Sequence, residues 1–132
     1  MSERLASVTV PASARFALEH MLLVPLGQDT LVRDRAFLDR VLPVDASRLP
    51  RRASFNAQLR AEMLSFVGLK AEALEALRSC DANGLIDIVW LDRCPLFNPF
   101  RSDPDFTTIR NRVALRAQRV TAALDARSPA GV

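Results

Sequence analysis

The chain has 132 residues, 49% hydrophobic and 25% charged, with 18 basic against 15 acidic side chains and a formal charge of +3. This is the composition and length of one ordinary globular domain, able to bury roughly two-thirds of its unfolded surface without a metal or a disulfide. No block of five or six like charges marks a nucleic-acid tail, and the longest apolar run, MLLVPL, is broken by Pro25 and far too short to cross a membrane.

Seventeen of the basic residues are Arg and one is Lys70, which together with abundant Ala points to a GC-rich bacterial genome and not to a nucleic-acid binder. The start, MSERLASV, is charged and leads into no apolar stretch of the secretory kind. Cys80 and Cys94 stand without a second Cys pair, and the only His is His20, so four zinc ligands cannot be assembled. Two reduced thiols in a cytoplasmic protein are the expectation.

Residues 1–10 carry no helical period and are expected to be a flexible lead. Pro11 suits the first turn of a helix, and Phe16, Leu18, Met21, Leu22 and Leu23 give that helix an apolar face until Pro25 and Gly27. Asp29 or Thr30 can cap a second helix running to Leu42, with Leu31, Leu38 and Leu42 inward, flanked by Phe37 and Val41. Arg33, Asp39 and Arg40 fall outside; Asp34 breaks the pattern. Pro43 ends the helix and a loop follows to Pro50.

From Pro50 to Val67 the spacing of Phe55, Leu59, Met63 and Phe66 predicts an inward stripe of helical period, beside a second stripe of Ala57, Ala61 and Leu64 whose small residues admit a neighbouring helix. Gly68 is the expected C-terminal cap, and Ala73, Leu74, Leu77 and Cys80 restart the period until Asn83-Gly84. Two helices joined so closely make an αα-hairpin.

Leu85 to Leu91 predicts about two turns of helix with Ile86, Val89 and Trp90 facing inward, ended by Pro95, which pushes Cys94 out of the α region. PLFNPF cannot continue that helix and is too apolar for a solvated loop, so Phe100 and its neighbours should plug into a packed corner. Asp103, Pro104 and Asp105 have the chemistry of a helix start. From there Phe106, Ile109, Val113, Ala117, Val120 and Leu124 form a seam to about Asp125, with Arg112, Arg116 and Arg119 on one flank. Leu115 points away from the seam. No stretch alternates with period two, so the chain is expected to be all-α.

The stretch RRASFNAQLRAEMLSFVGLKAEALEALRSCDANGLIDIVWLDRCPLFNPFRSDPDFTTIRNRV resembles the tetratricopeptide-like C-terminal tail of large multidomain bacterial serine/threonine protein kinases and related ATPase-containing regulators. Small residues at Ala61, Gly68 and Ala73, with Leu64, Leu77 and Cys80, match the repeat pattern; one unit fits, roughly 51–84. A W-L-D-R-C-P-L corner at Trp90 to Leu96 and an R-x-D-P-x-F start at Arg101 to Phe106 are similar to the closing element of such tails. The resemblance implies five to six helices in stacked antiparallel hairpins over 11–128, with a corner and capping helix over 85–126. Gly68, Ala73, Trp90, Cys94, Pro95, Phe100, Asp103, Pro104 and Phe106 would be structural.

Chemistry is harder to find. No Gly-rich loop, H-R-D, D-F-G or Walker A motif is present, and Lys70 follows a capping Gly where a kinase has a strand. Asp87, Asp92, Asp103 and Asp105 lack calcium-loop spacing and read as helix-end acids. His20 has no nucleophile tied to it, Cys94 lies past a helix end with only Arg93 nearby, and the Asn98–Phe100 NPF triplet puts its ring where the core needs one. Arg51, Arg52 and Arg101 with the Arg112 flank could touch phosphates, but the basic excess is small and no ring is spare for stacking. No catalytic residue, cofactor, metal, nucleic acid or membrane is expected. The sequence favours a non-enzymatic protein-interaction module with Asn56, Arg60, Glu62, Arg112, Arg116 and Arg119 exposed to a protein or peptide partner. The alternatives are a structural or self-associating domain, and a small-molecule-binding domain or enzyme.

Overall fold

The computed structural model describes residues 30–45 and 50–127. Among the described residues there is no strand. The elements are α1 (Thr30–Arg33), α2 (Arg35–Val41), α3 (Pro50–Phe66), α4 (Lys70–Ala82), α5 (Ile88–Arg93), a 3₁₀ helix (Pro95–Phe100) and α6 (Pro104–Arg127). The lead at 1–10, the helix expected from Pro11 and His20 lie outside these residues.

The single helix expected from Thr30 to Leu42 is two, because Asp34 interrupts it. Asp34 has extended backbone, φ −84° and ψ 104°, and its side chain accepts the Phe37 amide at 3.3 Å. A short carboxylate satisfies an orphan amide better as a cap than it continues a turn. The acid that breaks the outward pattern is therefore a helix start. Val32, Phe37, Leu38 and Leu42 are buried on the inner side.

Only three residues, Val67 to Leu69, join α3 to α4, and the two helices fold back on one another in the most extensive packing between any pair of elements. Gly68 makes the turn at φ +81°: its amide donates to the Ser65 carbonyl at 3.1 Å and the Leu69 amide to the Leu64 carbonyl at 2.9 Å. Gly84 repeats the device after α4 at φ +83°, with amides of Gly84 and Leu85 on the carbonyls of Asp81 and Cys80. Both are Schellman ends, which need a left-handed residue. Two expected inward rings are corrected here: Phe55 and Phe66 are 56% and 54% exposed. α4 lies on the small-residue side of α3, where Ala53, Ala57, Ala61 and Leu64 are buried, and that choice rotates both rings outward while Leu59 and Met63 stay in. Ala73, on the facing helix, is fully buried.

The corner packs as a cluster of rings. Phe97 is fully buried, with Trp90 edge-on at 4.9 Å and 87°, and with Phe100 and Phe106 at 6.3 Å and 6.2 Å. Edge-on and tilted contacts are the arrangements the ring quadrupole favours. Trp90 itself is half-buried, and its indole N–H donates to Glu62 Oε1 at 2.7 Å. Cys94 is extended before Pro95, and PLFNPF winds as a 3₁₀ helix. Ile86 and Val89, expected inside, are 47% and 58% exposed. The Gly84 turn delays the helix to Ile88, capped by Asp87, whose side chain accepts the Trp90 amide at 2.9 Å. Leu85 and Leu91 take the buried places instead.

Asp103 starts α6 as expected, accepting the Asp105 amide at 2.9 Å with Pro104 in the first helical position. Phe106, Ile109 and Val113 are buried, but the seam then runs out: Val120 and Leu124 are exposed, and the helix ends at Arg127. α6 has 24 residues and α4 has 13, so α6 is about 36 Å long against about 20 Å for its support. Its direction is also informative. Lys70 reaches Asp103, Arg78 reaches Asp105, and Arg116 reaches Asp81 and the Leu85 carbonyl. α6 thus runs beside α4 in the same sense, because the corner carries the chain back to the start of α4. Against α5 it runs in the opposite sense, with Arg110 on Asp92 and Arg116 on the Leu85 carbonyl.

At Gly84 a Cβ would meet nothing within 4 Å, so only the left-handed backbone opposes a side chain. Gly84→Ala should cost about 1–2 kcal/mol in urea denaturation with the folded far-UV spectrum unchanged.

Candidate functional site

The six polar residues expected on a partner surface differ in exposure: Arg112 and Arg119 are exposed, Glu62 and Arg116 half-buried. Asn56 and Arg60 are buried, a correction to their expected exposure. Asn56 Nδ2 donates to the Pro43 carbonyl at 2.9 Å, and Arg60 Nη1 donates to Asp39 Oδ1 at 2.8 Å and to the Leu42 carbonyl at 3.4 Å. Arg33 donates to the Val67 carbonyl at 3.1 Å. These bonds pair 33 with 67, 39 with 60 and 43 with 56, so α1 and α2 lie antiparallel along α3 and cover its polar side. Glu62 is occupied by the Trp90 indole. Arg112 and Arg116 converge on buried Asp81 at 3.3 Å and 2.8 Å, clamping α6 to the end of α4, and Arg119 is exposed further along α6.

The four acids are each engaged by a partner of their own. Asp87 and Asp103 cap helices, Asp105 pairs with Arg78 at 2.7 Å, and Asp92 holds Arg110 through two bonds of 2.9 Å and 2.8 Å. The Arg110 guanidinium hydrogen-bonded to Asp92 holds its carboxyl below the ordinary value. Among the described residues no three His, Cys, Asp or Glu side chains come together as metal ligands. Cys80 is buried and its thiol is pushed up to about 12 by desolvation, so it is not a thiolate near neutral pH. The NPF ring, Phe100, is in the core, and Asn98 Oδ1 accepts from Arg101 Nε at 3.0 Å. Arg101 is not a phosphate ligand in waiting. Its guanidinium also donates to the Leu91 and Cys94 carbonyls at 3.1 Å and 3.0 Å, closing the end of α5.

What the fold does build is a cleft of about 270 Å³ between α1–α2 and the α3–α4 hairpin. Val32, Leu38, Leu64 and Ala76 form an apolar floor, with Leu69 at one end and Val44 at the other. The walls differ in sign: Arg33 and Arg35 stand on the α1–α2 side, Glu72 and Glu75 on the α4 side. Arg35 Nη2 meets Glu75 Oε1 across the opening at 2.8 Å. Both side chains are more than half exposed, at 71% and 53%, and pairs of this kind contribute about 0–1 kcal/mol. The Arg60–Asp39 pair and Ser79 complete the lining.

Of the residues lining the cleft, Arg60 alone is among those the sequence assigns to a partner surface. Arg33, Arg35, Glu72 and Glu75 look in the sequence like ordinary outer-face charges, and Arg35 and Glu75 are 40 positions apart. The only legible trace is that both basic residues precede an apolar core stripe and both acidic residues begin the second helix of the hairpin.

Asp81→Ala should cost about 2 kcal/mol, the scale of losing buried bonds to charged donors, and should loosen α6 first, seen as faster amide exchange around Val113. A second check concerns acid. Because the Arg110 guanidinium holds the Asp92 carboxyl below its ordinary value, Asp92 should stay ionised to lower pH in the native chain than in the Arg110→Met variant in a carbon-13 NMR titration. Its stabilisation is present above the unfolded-state carboxylate pKa and is lost as pH falls through the folded one, by less than about 1 kcal/mol for so exposed a pair.

Comparison of the chain with protein-family models, with curated proteins and with solved structures finds no match.

Proposed function

We propose that the chain is a non-enzymatic protein-interaction module, a regulatory or scaffold tail of a bacterial cytoplasmic signalling protein, whose cleft receives an apolar side chain from a protein or peptide partner. The observation that carries this reading is the size and lining of the cleft. About 270 Å³ falls just under the roughly 300–1,000 Å³ that encloses a cofactor or metabolite and well above the roughly 150 Å³ that holds a benzene ring. It suits one bulky side chain. Among the described residues lining it, Ser79 is the sole hydroxyl, and no His or Cys lines the cleft with it to activate it.

The tetratricopeptide-like reading is supported by the α3–α4 hairpin with α1–α2 laid antiparallel against it; α6 closes the array. Two free cysteines fit a reducing compartment. Placing a photo-crosslinking side chain at Glu72 tests the role: a partner protein should be captured there, should be lost when Ala76→Phe fills the floor, and should not be captured from Arg127. Capture that ignores the filled floor would overturn the reading.

Self-association is the second reading, favoured by Leu115, exposed midway along α6, and by Val120, exposed on its overhanging half. Light scattering at rising concentration decides it: a monomer mass throughout removes it, and a dimer abolished by Val120→Glu establishes it.

A further inference from the structure

The two walls of the cleft carry opposite charge, and this restricts what can enter. Arg33 and Arg35 face Glu72 and Glu75 across an apolar floor, Asp39 on the arginine side is held by Arg60, and the Arg35–Glu75 contact bridges the gap. Glu72 is exposed and makes no ion pair with the described residues. Arg33 donates to the Val67 carbonyl. An incoming group that parts Arg35 from Glu75 loses a contact worth little in water, but it then covers both charges.

We propose that the occupant is a short amphipathic helix whose inserted apolar residue is flanked by an acidic residue on one side and a basic residue on the other, replacing the Arg35–Glu75 bridge with two intermolecular pairs. This rests on the interaction reading above and names its ligand. A helix fits because residues one position before and after the inserted one project about 100° to either side of it, whereas in a strand both point away from the floor. A ligand with one sign of charge would pair with one wall and leave the other unpaired as water is excluded. Like charges brought together at such an interface suppress wrong partners and set specificity more than raw affinity.

The test begins with a phage-displayed library of random 12-residue peptides panned on the full chain. A synthetic copy of the leading peptide is then measured by fluorescence anisotropy. The expected consensus is an apolar residue with acid and base on opposite helical flanks. A doubly reversed chain, Arg35→Glu with Glu75→Arg, keeps its own bridge and should weaken that peptide at least about tenfold. A peptide with its acid and base exchanged should recover the loss. Both residues are surface-exposed, so the reversed chain should keep its unfolding midpoint, and thermal denaturation checks this. Peptides that require the unfilled floor yet carry one sign of charge, or bind the reversed chain equally, overturn the bipolar-helix proposal alone. Absence of any enriched peptide, or enrichment that Ala76→Phe does not affect, overturns the interaction reading with it.

Discussion

Everything in this structure is arranged around the close contact of α3 and α4 through methyl-sized side chains. Ala53, Ala57, Ala61, Ala73 and Ala76 are buried, and they let two helix backbones come together where larger residues would hold them apart. That contact sets the rotation of α3. Phe55 and Phe66 turn outward, Leu59 and Met63 are held at the edges, and the polar line of Asn56 and Arg60 is turned toward α1–α2. The cleft is the space left where α2 lies over the hairpin without filling it.

Around that contact, arginine acts as an internal fastener more than as a surface charge. Arg60 reaches the end of α2, Arg101 gathers the carbonyls that end α5, and Arg116 ties α6 to Asp81 and the Leu85 carbonyl. Apart from the Asp81 carboxylate, these bonds meet backbone oxygens at or just beyond helix ends, groups hard to satisfy in a protein of short helices. Among the described residues no buried side-chain nitrogen or oxygen lacks a partner. A planar guanidinium with several fixed donors serves two or three acceptors at once, which a single ammonium on a flexible stem does less well. The basic excess seen in composition is therefore partly structural, and what is left at the surface is divided by position instead of pooled.

The same division shapes the cleft. Its basic wall comes from the helices before the hairpin and its acidic wall from the hairpin's second helix, so their opposition exists only when α1–α2 pack in the same sense as α4. The bridging pair holds the opening in water at little energetic cost. In the proposed complex, partner charges would replace it without leaving a buried ion unpaired, which is the condition that makes charged interfaces selective.

Local chemistry alone marked the helical class, the hairpin, both glycine ends, the Asp103 and Pro104 start of α6 and the burial of Phe97's neighbours, because caps, positive-φ turns and helical spacing act over a few residues. It could not show which of two stripes on α3 faces inward, since Phe55–Leu59–Met63–Phe66 and Ala57–Ala61–Leu64 both satisfy the period and larger rings seemed the natural core. It also could not show that Asn56 and Arg60 are covered, that α6 runs beside α4, or that Arg35 stands opposite Glu75. Those are relations between elements tens of residues apart. They were decided by how closely two backbones can approach and by which helix ends needed donors, quantities that exist only once the helices have packed.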